Sequence, residues 1–531
     1  MLRLALVLLI SSGSPIVAAP GFFPVRDFGA SGDGTTLDTA ALQAAIDACA
    51  SAGGGTVLFD AGTYLSGTLV LTDHVTLHLM AGATLLGSTN EADYPVMVSE
   101  YRSYTDNYVV RSLIYAEKAA NVTLEGRGTL DGQGAVFRER RSREEPYKRR
   151  PYMIRMIECS DVTVRDLTIV NSPMWVQHYI ACDDVVIDGI TVHSQVAGNN
   201  DGIDIDSCHR VRISNCDIIS GDDAIVLKAT SDRVCSDIVV TNCNLSTHCN
   251  AFKLGTESNG GFQNISMSNC TVYDTRLAAI ALEMVDGGLL ERVQINNVGI
   301  INCGAAIFLR LGNRARPYRS KGPGGSRGSF IMEPGTERPG MGSFRQVVIS
   351  NINATGIGET GCSITGLPGH PVEDVTLENI RIRFSGGAAA ELARREVPEK
   401  EDAYPEYKMF GQLPAYGFFT RHVRDIKFSN VELEFDEADG RPAMIFDDVQ
   451  DLELLDVDAQ LSPGDEPLLW FRNVRGALVH GCRPTRPVSA FLRASGSTGV
   501  TVMGNDFTNV DRVLLPVSDM ERAEILLDHN R

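Results

Sequence analysis

The sequence contains few basic residues and few aromatic residues. Its 48 Lys and Arg face 67 Asp and Glu, which gives a formal net charge of −19, and aromatic residues make up only 7% of the chain. A chain this acidic is not expected to bind nucleic acid, and any anionic ligand would have to be held by local cations. The scarcity of aromatics, together with 51 glycines, predicts many tight turns around a core of small aliphatic side chains.

The 12 cysteines include no Cys-x-x-Cys pair, so the sequence predicts no metal site of that kind and no cofactor. One trio recurs at intervals of 27 residues: Cys216, Cys243 and Cys270. Because a free cysteine packs as a small hydrophobe, this trio predicts a stack inside or at a corner of the fold. A second trio lies near predicted turns and could include one disulfide: Cys208, Cys235 and Cys249.

The N-terminus carries a short apolar run, Leu4 to Ile10, after Arg3 and before small residues that extend to Ala19. This pattern favours a signal peptide over a membrane span. We therefore expect residues 1–19 to be a signal peptide and the protein to be secreted or periplasmic. Pro20 leaves the exact cleavage site open.

A strand motif recurs along most of the chain. Residues 162–167, 185–190 and 211–216 share it, and further copies begin at Ile238, Ile265, Val293, Val347, Val375, Ile426, Leu452, Ala477 and Val500. Successive copies start 23 to 28 residues apart, except for two gaps of 54 and 51 residues that are close to double the repeat. A fixed period built from alternating apolar residues is typical of a solenoid whose coils stack on one another. The sequence predicts an all-β fold, a right-handed parallel β-helix that forms a single domain over residues 20–531.

Two details support this fold. Asparagine recurs at one register of the motif, and because Asn tolerates a left-handed backbone, these residues predict a stacked ladder at one corner: Asn215, Asn242, Asn269, Asn297, Asn351, Asn379 and Asn430. Near the N-terminus, Asp38 is the expected N-cap of a short helix that ends at residues 53–55 and covers the open end of the β-helix. Its buried face is predicted to hold Leu42, Ala45, Ile46 and Cys49.

Two long insertions interrupt the repeat, near 313–345 and near 384–424, and a basic stretch spans 138–150. Insertions in repeat proteins tend to cluster on the binding face. We expect these segments to wall a groove, although solvated loops are the alternative. Long walls would favour a closed pocket and attack at the end of a polymer.

Carboxylates cluster where two neighbouring coils begin a strand. Asp201 precedes the segment 203–206, and Asp222 and Asp223 precede the segment 225–228. If the coils stack, three acids converge, which suits glycoside hydrolysis because one acid protonates the leaving oxygen and another activates water. A turn-capping or calcium-binding cluster is the alternative.

When the coils are aligned, the alternation of side chains along each strand predicts five inward-facing residues, one per coil: Ile203, Ile225, Phe252, Ile280 and Ile307. The outward rows then hold Asp201, Asp223 and Asn250; Asp204, Val226 and Lys253; and Asp206, Lys228, Glu283 and Arg310. We predict that substrate is bound by six side chains: Lys228, His248, Asn250, Lys253, Glu283 and Arg310.

At these residues the sequence resembles glycoside hydrolase family 28, the polygalacturonase family of the pectate-lyase-like superfamily. Residues 199–201 resemble its Asn-Thr-Asp motif, residues 221–223 match its Gly-Asp-Asp motif, and residues 128–134 and 150–151 are similar to further family landmarks. The resemblance covers roughly residues 24–310. It implies an inverting hydrolase of α-linked uronic-acid polysaccharides, in which Asp222 is the general acid and Asp201 and Asp223 hold and deprotonate the attacking water.

The sequence departs from the family at two motifs. The Gly-His-Gly motif falls at residues 249–251, so Asn250 takes the place of the histidine, with His248 two residues earlier. The Arg-Ile-Lys motif falls at residues 281–283, where Glu283 replaces a cation. The lost cations could be replaced by Lys228 and Lys253, or by Arg310 and Arg314. Alternatively, a neutral sugar such as rhamnose would bind beside Glu283.

The sequence thus predicts a secreted hydrolase of galacturonic-acid-containing polysaccharide. The alternatives are a rhamnogalacturonan-type hydrolase, a calcium-dependent β-helix lyase and a non-catalytic glycan-binding solenoid. The sequence leaves the glycan and the oligomeric state open.

Overall fold

A computed structural model describes residues 21–107, 109–138, 150–323, 330–332, 335–516 and 523–531. The predicted signal peptide lies outside the described residues, as do positions 139–149 of the basic stretch. No helix in the described ranges is long and apolar enough to cross a membrane.

Most of the described residues belong to short strands. The N-terminal strands are β1 (Phe22–Pro24), β2 (Asp33–Leu37), β3 (Gly55–Phe59), β4 (Gly62–Ser66), β5 (Leu69–Leu71), β6 (Val75–Leu79), β7 (Ala83–Gly87), β8 (Ser112–Glu117), β9 (Ala120–Gly126), β10 (Thr129–Asp131), β11 (Tyr152–Ile157), β12 (Ser160–Arg165) and β13 (Thr168–Val170). The middle strands are β14 (Gln177–Ile180), β15 (Asp183–Asp188), β16 (Thr191–Ser194), β17 (Ile203–Asp206), β18 (His209–Ser214), β19 (Asp217–Ser220), β20 (Ile225–Ala229), β21 (Cys235–Thr241), β22 (Asn244–Thr247), β23 (Phe252–Ser258), β24 (Phe262–Met284) and β25 (Leu289–Leu311).

The C-terminal strands are β26 (Ser320–Pro323), β27 (Phe330–Met332), β28 (Ser343–Ile357), β29 (Cys362–Thr365), β30 (Val372–Gly386), β31 (Phe418–Glu437), β32 (Met444–Ala459), β33 (Leu469–Arg472), β34 (Arg475–His480), β35 (Leu492–Ser495), β36 (Thr498–Met503) and β37 (Ile525–Asp528). Besides one α-helix, α1 (Thr39–Ser51), the described ranges contain short 3-10 helices at Val25–Phe28, Glu91–Asp93, Tyr104–Asn107, Gly134–Phe137 and Ala390–Arg394.

From β3 to β21, each strand pairs in parallel with the strand three positions later, so that every coil contributes one strand to each of three faces. Further on, long strands such as β24 and β25 pair in parallel directly with each other. On the face that carries the carboxylates, Ile203 of β17 pairs with Ile225 of β20, and Ile225 pairs with Phe252 of β23. The inward residues of this row are fully buried in one continuous core. The predicted parallel β-helix and the predicted alignment of the coils are confirmed.

The asparagine ladder is also confirmed. All seven asparagines have φ between 52° and 57°, the left-handed conformation that a sharp corner requires. Their side chains bond from coil to coil, as in the bond from Asn379 Nδ2 to Asn351 Oδ1 at 2.9 Å and the bond from Asn430 Nδ2 to Asn379 Oδ1 at 2.9 Å.

The predicted stack of three cysteines is present, whereas the disulfide considered for the second trio is not. Cys216, Cys243 and Cys270 are buried in the core, and the backbone N–H of Cys243 donates to Cys270 Sγ at 3.5 Å. All 12 cysteines are free, so the disulfide considered among Cys208, Cys235 and Cys249 does not form.

The helix α1 covers the N-terminal end of the β-helix. Its buried residues are the four that were predicted: Leu42, Ala45, Ile46 and Cys49. Asp38 occupies the N-cap position, but its carboxylate makes no capping bond. It accepts instead from the backbone N–H groups of Ser31 and Gly32 at 2.7 and 3.0 Å, because the preceding loop folds back over it.

Two excursions leave the coils, the first described over residues 312–323, 330–332 and 335–342 and the second over residues 387–417. The second, which we call the strap, crosses the carboxylate-bearing face. Arginines of that face donate to its carbonyl oxygens: Arg310 to Glu399 at 2.7 Å, Arg421 to Val397 at 2.6 Å and Arg472 to Ala393 at 2.8 Å. Tyr407 of the strap packs on the apolar outward patch of β24 and β25, which includes Ala281 and Phe308. The strap is therefore fixed to the β-helix by both polar and apolar contacts.

Candidate active site

A cavity of about 180 Å³ lies on the outward face of the coils that contain β14, β17, β20 and β23. Eleven residues line it: Met174, Trp175, Asn199, Asp201, Asp222, Asp223, Lys228, Glu257, Arg314, Arg316 and Tyr404. The three predicted catalytic carboxylates and Lys228 are among them. The in-register stacking of the coils brings these residues together.

Asp222 and Asp223 sit in the tight turn between β19 and β20. The backbone carbonyl of Asp222 accepts hydrogen bonds from the hydroxyls of Ser220, at 2.6 Å, and Thr247. The backbone N–H of Asp223 donates to Asp222 Oδ1 at 3.0 Å. Their carboxylate oxygens and Cys249 Sγ lie within 4.8 Å of one another. The turn therefore presents two adjacent carboxyl groups on a fixed backbone.

The Asp223 carboxylate is held by its neighbours on the next coil. Asn250 donates to Oδ1 through both its backbone N–H and its side-chain amide, each at 3.0 Å, and Lys253 Nζ lies 3.2 Å from Oδ2. Burial raises the pKa of Asp223, but the charges of Lys253 and Lys228 and the bonds from Asn250 outweigh it, so that the pKa lies below the ordinary aspartate value.

Asp222 is shifted in the opposite direction. Burial, followed by the negative charge of Asp223, raises the pKa of Asp222 above the ordinary value. Of the two adjacent carboxyls, Asp222 therefore tends to keep a proton and Asp223 tends to lose one.

Lys228 holds a second group of carboxylates. Its Nζ lies 3.8 Å from Asp201, 3.5 Å from Asp204 and 3.6 Å from Glu257. Burial and the charge of Asp204 raise the pKa of Asp201 well above the ordinary value, and burial does the same for Asp204. Burial acts to lower the pKa of Lys228, but its carboxylate neighbours have the larger, opposite effect. The pKa of Lys228 therefore lies well above the ordinary lysine value, and the ammonium stays charged.

Glu257 reaches the cavity through a bulge. Leu227 pairs with Leu254 and Ala229 with Ser258, so β23 carries two extra residues there. Gly255 has φ of 103°, and a Cβ there would lie 2.3 Å from the carbonyl oxygen of Glu283, so the bulge requires glycine. Arg316 binds the Glu257 carboxylate. Although burial raises the pKa of Glu257, Arg316 and Lys228 bring it well below the ordinary value.

Two arginines enter the cavity from the segment that follows β25. Arg314 Nε donates to Asp286 Oδ1 at 2.9 Å, and the backbone N–H of Arg316 donates to the same oxygen at 2.9 Å. Each guanidinium also faces an aromatic ring: Arg314 lies 5.6 Å from the ring centroid of Tyr404, and Arg316 lies 3.4 Å from that of Tyr104. Arg314 was a sequence candidate, whereas Arg316, Glu257, Trp175 and Tyr404 had no motif that could identify them individually.

Other predicted binding residues do not line the cavity. Lys253 and Glu283 are buried behind it, with their charged atoms 3.5 Å apart. Arg310 is occupied by carbonyl oxygens of the strap and of Gly366. His248 is exposed on the surface, with Nε2 3.5 Å from Gln195 Nε2. Asn250 is absent from the cavity wall and bonds to Asp223, which lines it. Glu283 is fully buried and thus gives no open subsite for a neutral sugar.

The carboxylates of the site already have cationic partners. The ammonium groups of Lys228 and Lys253 lie between 3.2 and 3.8 Å from Asp201, Asp204 and Asp223. A calcium ion bound by these oxygens would bring two more positive charges next to both lysines. The arrangement suits acid–base chemistry better than calcium binding.

Comparison with known proteins agrees with this chemistry. Residues 55–300 match the model of the glycosyl hydrolases family 28. A probable polygalacturonase of Vitis vinifera is 28% identical over 68% of this chain and 74% of its own length. An exo-poly-alpha-D-galacturonosidase of Dickeya chrysanthemi is 28% identical over 39% of this chain and 42% of its own length. The protein is a glycoside hydrolase. Its residues 55–300 resemble glycoside hydrolase family 28, and the protein is polygalacturonase-like.

Solved structures support the fold. An exopolygalacturonase from Thermotoga maritima has a TM-score of 0.57 at 23% identity, covering 68% of this chain and 87% of its own. A polygalacturonase from Erwinia carotovora has a TM-score of 0.52 at 20% identity, covering 66% of this chain and 90% of its own. The fold is the right-handed parallel β-helix of these proteins, as predicted.

The family match ends before several residues of the cavity. Arg314, Arg316 and Tyr404 all follow residue 300, where the match stops. The two excursions thus complete a cavity whose carboxylates lie within the matched region.

Proposed function

We propose that this chain is a secreted, inverting glycoside hydrolase that cleaves α-linked galacturonic-acid-containing pectic polysaccharide or oligosaccharide. Asp222 is the general acid, Asp223 deprotonates the attacking water, and Asp201 helps to hold that water. The observation that carries the proposal is the pair of adjacent carboxyls whose pKa values are shifted apart, Asp222 upward and Asp223 downward. Such a separation lets one carboxyl donate a proton while the other accepts one.

The charges of the cavity support an anionic substrate. Lys228, Arg314 and Arg316 line it, in a chain whose net charge is −19. Of the lining carboxyls, Asp201 and Asp222 have raised pKa values and so carry less negative charge. The three lining cations then outweigh the lining carboxylates that stay ionised, Asp223 and Glu257, although the two arginines already bind Asp286 and Glu257. This excess of positive charge favours a uronate carboxylate, the group that a polygalacturonase relative would have to bind.

The strap supports attack at a chain end. Tyr404 forms one wall of the cavity, and the strap covers the outward face beyond it, where Tyr407 packs on Ala281 and Phe308. A polymer lying along this face would meet the strap. Several relatives are named as exo-acting, among them an exopolygalacturonase of Zea mays that is 23% identical over 69% of this chain and 84% of its own length.

The inverting outcome needs acid and base far enough apart to admit water, roughly 6.5–9.5 Å. Asp222 and Asp223 approach within 4.8 Å at their nearest atoms. Asp201 lies on the neighbouring coil and lines the same cavity, and we assign it a share in holding the water. Proton NMR of the first product anomer tests this directly, since inversion gives the β-anomer from an α-linkage.

Product analysis tests the function. Wild type and Asp222→Asn are incubated with polygalacturonan, oligogalacturonates and rhamnogalacturonan, and products are followed by chromatography and ultraviolet absorbance. Asp217→Asn is the matched control, because Asp217 is exposed on β19 outside the cavity. We expect saturated monogalacturonate from wild type and control but not from Asp222→Asn.

Other outcomes would contradict the proposal. Unsaturated, ultraviolet-absorbing products would indicate a lyase, and turnover of rhamnogalacturonan alone would indicate the rhamnogalacturonan-type hydrolase. Binding without turnover would indicate a glycan-binding protein. Secretion is tested separately, by N-terminal sequencing of the exported protein, which should begin near residue 20.

A further inference from the structure

A carboxyl group from the strap enters the acid–base site from outside the repeat. Glu406 Oε1 accepts a hydrogen bond from Asn250 Nδ2 at 3.3 Å, although 156 residues separate the two in sequence. The same amide nitrogen donates to Asp223 Oδ1 at 3.0 Å. Asn250 thus bridges Glu406 and Asp223.

The orientation of this bridge is fixed. Asn250 Oδ1 accepts from the backbone N–H of Ala278 at 3.1 Å, so the amide nitrogen must point toward the two carboxyls. Asn250 is fully buried. A fully bonded, buried amide has little freedom to turn, and its two acceptors therefore restrain each other's position.

The surroundings of Glu406 are those of the reacting carboxyls. Burial raises the pKa of Glu406, and the negative charges of Asp223 and Asp222 raise it as well. The positive charge of Lys253 lowers it but does not outweigh these effects. The negative charge of Glu406 also raises the pKa of Cys249 and the pKa of Glu283. Its second oxygen, Oε2, is buried and has no hydrogen-bond partner among the described residues.

We propose that Glu406 is a positioning residue for hydrolysis: through the Asn250 amide it fixes the carboxylate of Asp223. This inference rests on the hydrolase function proposed above. Asn250 occupies the place where the family motif has a histidine, and the strap supplies a titratable group beside it. The acid–base site of this chain thus depends on a segment that lies outside the family match.

The test compares two substitutions of Glu406. Glu406→Ala removes the acceptor, whereas Glu406→Gln keeps a carbonyl oxygen at the same place. With oligogalacturonates as substrate, we expect Glu406→Ala to lower kcat by about 10–100-fold with KM unchanged, as is usual for a group that orients a reacting residue. Glu406→Gln should retain most of the wild-type kcat. Glu396→Gln, at an exposed position of the strap, is the control and should match wild type.

Two further measurements distinguish positioning from simple loss of structure. Glu406→Ala and Asn250→Ala should be non-additive in kcat, because both act on Asp223. In Glu406→Gln, the alkaline limb of the pH–rate profile should move to lower pH, since a negative charge that holds the proton on Asp222 is gone. The groups facing Glu406 that enter this profile are Asp222, Asp223, Cys249, Lys253 and Glu283.

The inference would be overturned by a wild-type kcat in Glu406→Ala, by equal losses in the Ala and Gln variants, or by additive losses in the double variant. Its failure is distinguishable from failure of the proposed function. If Asp222→Asn keeps wild-type turnover, the hydrolase mechanism itself is wrong. If Asp222→Asn is inactive and Glu406→Ala is normal, only the positioning role is wrong.

Discussion

The ammonium of Lys253 lies 3.2 Å from the carboxylate of Asp223, on the adjacent coil, and both side chains are almost completely buried. On its other side, 3.5 Å away, is the fully buried carboxyl of Glu283. Lys253 is therefore a counter-charge shared by two carboxyls in the interior of the outward face, and Lys228 adds to it at Asp223. The pKa of Lys253 is raised by these neighbours although burial acts to lower it.

Removing this cation should destabilise the protein. Lys253→Met leaves buried carboxyls without their counter-charge, and breaking such a pair typically costs about 3–5 kcal/mol. Urea denaturation at pH 7 measures the loss. The double variant Lys253→Met/Glu283→Gln, which removes the charge on the other side as well, should recover part of it. An unfolding free energy in Lys253→Met equal to that of wild type would contradict the role of Lys253 as the shared counter-charge.

The activity should follow a bell-shaped dependence on pH. Activity requires Asp223 ionised and Asp222 protonated, so it rises as Asp223 loses its proton and falls as Asp222 loses its own. Because the pKa of Asp223 is lowered and that of Asp222 is raised, this window opens at acidic pH. The kcat/KM of wild type on oligogalacturonates, measured across pH, checks it.

Substitution of the acid sharpens this test. Asp222→Asn should lower kcat by about 10²–10⁴-fold, the usual contribution of a general acid, with the fold intact by circular dichroism. A profile whose maximum lies above neutral pH would contradict the assignment of Asp222 as the acid.

Arg316 should discriminate between charged and neutral substrates. Arg316→Lys keeps a positive charge but loses the planar fork that binds carboxylates in two places. We expect the preference for oligogalacturonate over its methyl ester, measured as a ratio of KM values, to fall by about 10–100-fold, the equivalent of one charge-assisted hydrogen bond. Arg319→Lys, an exposed position of the same segment, should keep the wild-type preference. Equal preferences in all three proteins would place carboxylate recognition elsewhere.

The asparagine ladder should contribute to stability through backbone conformation as well as hydrogen bonds. Asn379, with φ of 55°, bonds to Asn351 and is bonded by Asn430. Asn379→Ala should cost about 1–2 kcal/mol for the left-handed backbone in addition to the lost bonds. Asn379→Gly loses only the bonds, so it should be the more stable of the two variants in thermal unfolding. The reverse order would mean that the corner does not depend on left-handed geometry.

Much of the fold followed from periodicity. Each residue of a parallel β-helix lies directly above its counterpart one coil earlier, so a repeat in sequence becomes a row in space. The buried isoleucine row, the asparagine corner, and the convergence of Asp201 with Asp223 all follow from this rule. Periodicity could not predict the hydrogen bonds of Asp38. The loop that folds back over this N-cap residue has no counterpart in the repeat.

Placement in an outward row did not determine exposure. Glu283 and Arg310 occupy the predicted row, yet both are fully buried. The strap covers this part of the face, and its carbonyl oxygens occupy Arg310. The strap therefore decides which outward side chains of these coils stay exposed, although it follows Arg310 by 89 residues at the contact with Glu399.

The sequence by itself determined the β-helix, the register of its coils and the position of the three catalytic candidates, because in-register stacking carries sequence period into three dimensions. Only the tertiary structure decided what surrounds those carboxylates. Glu257 arrives through a bulge, Arg314 and Arg316 through one excursion, and Tyr404 and Glu406 through the strap. None of these segments follows the repeat. Their contacts with the site depend on packing between distant parts of the chain, which no local pattern encodes.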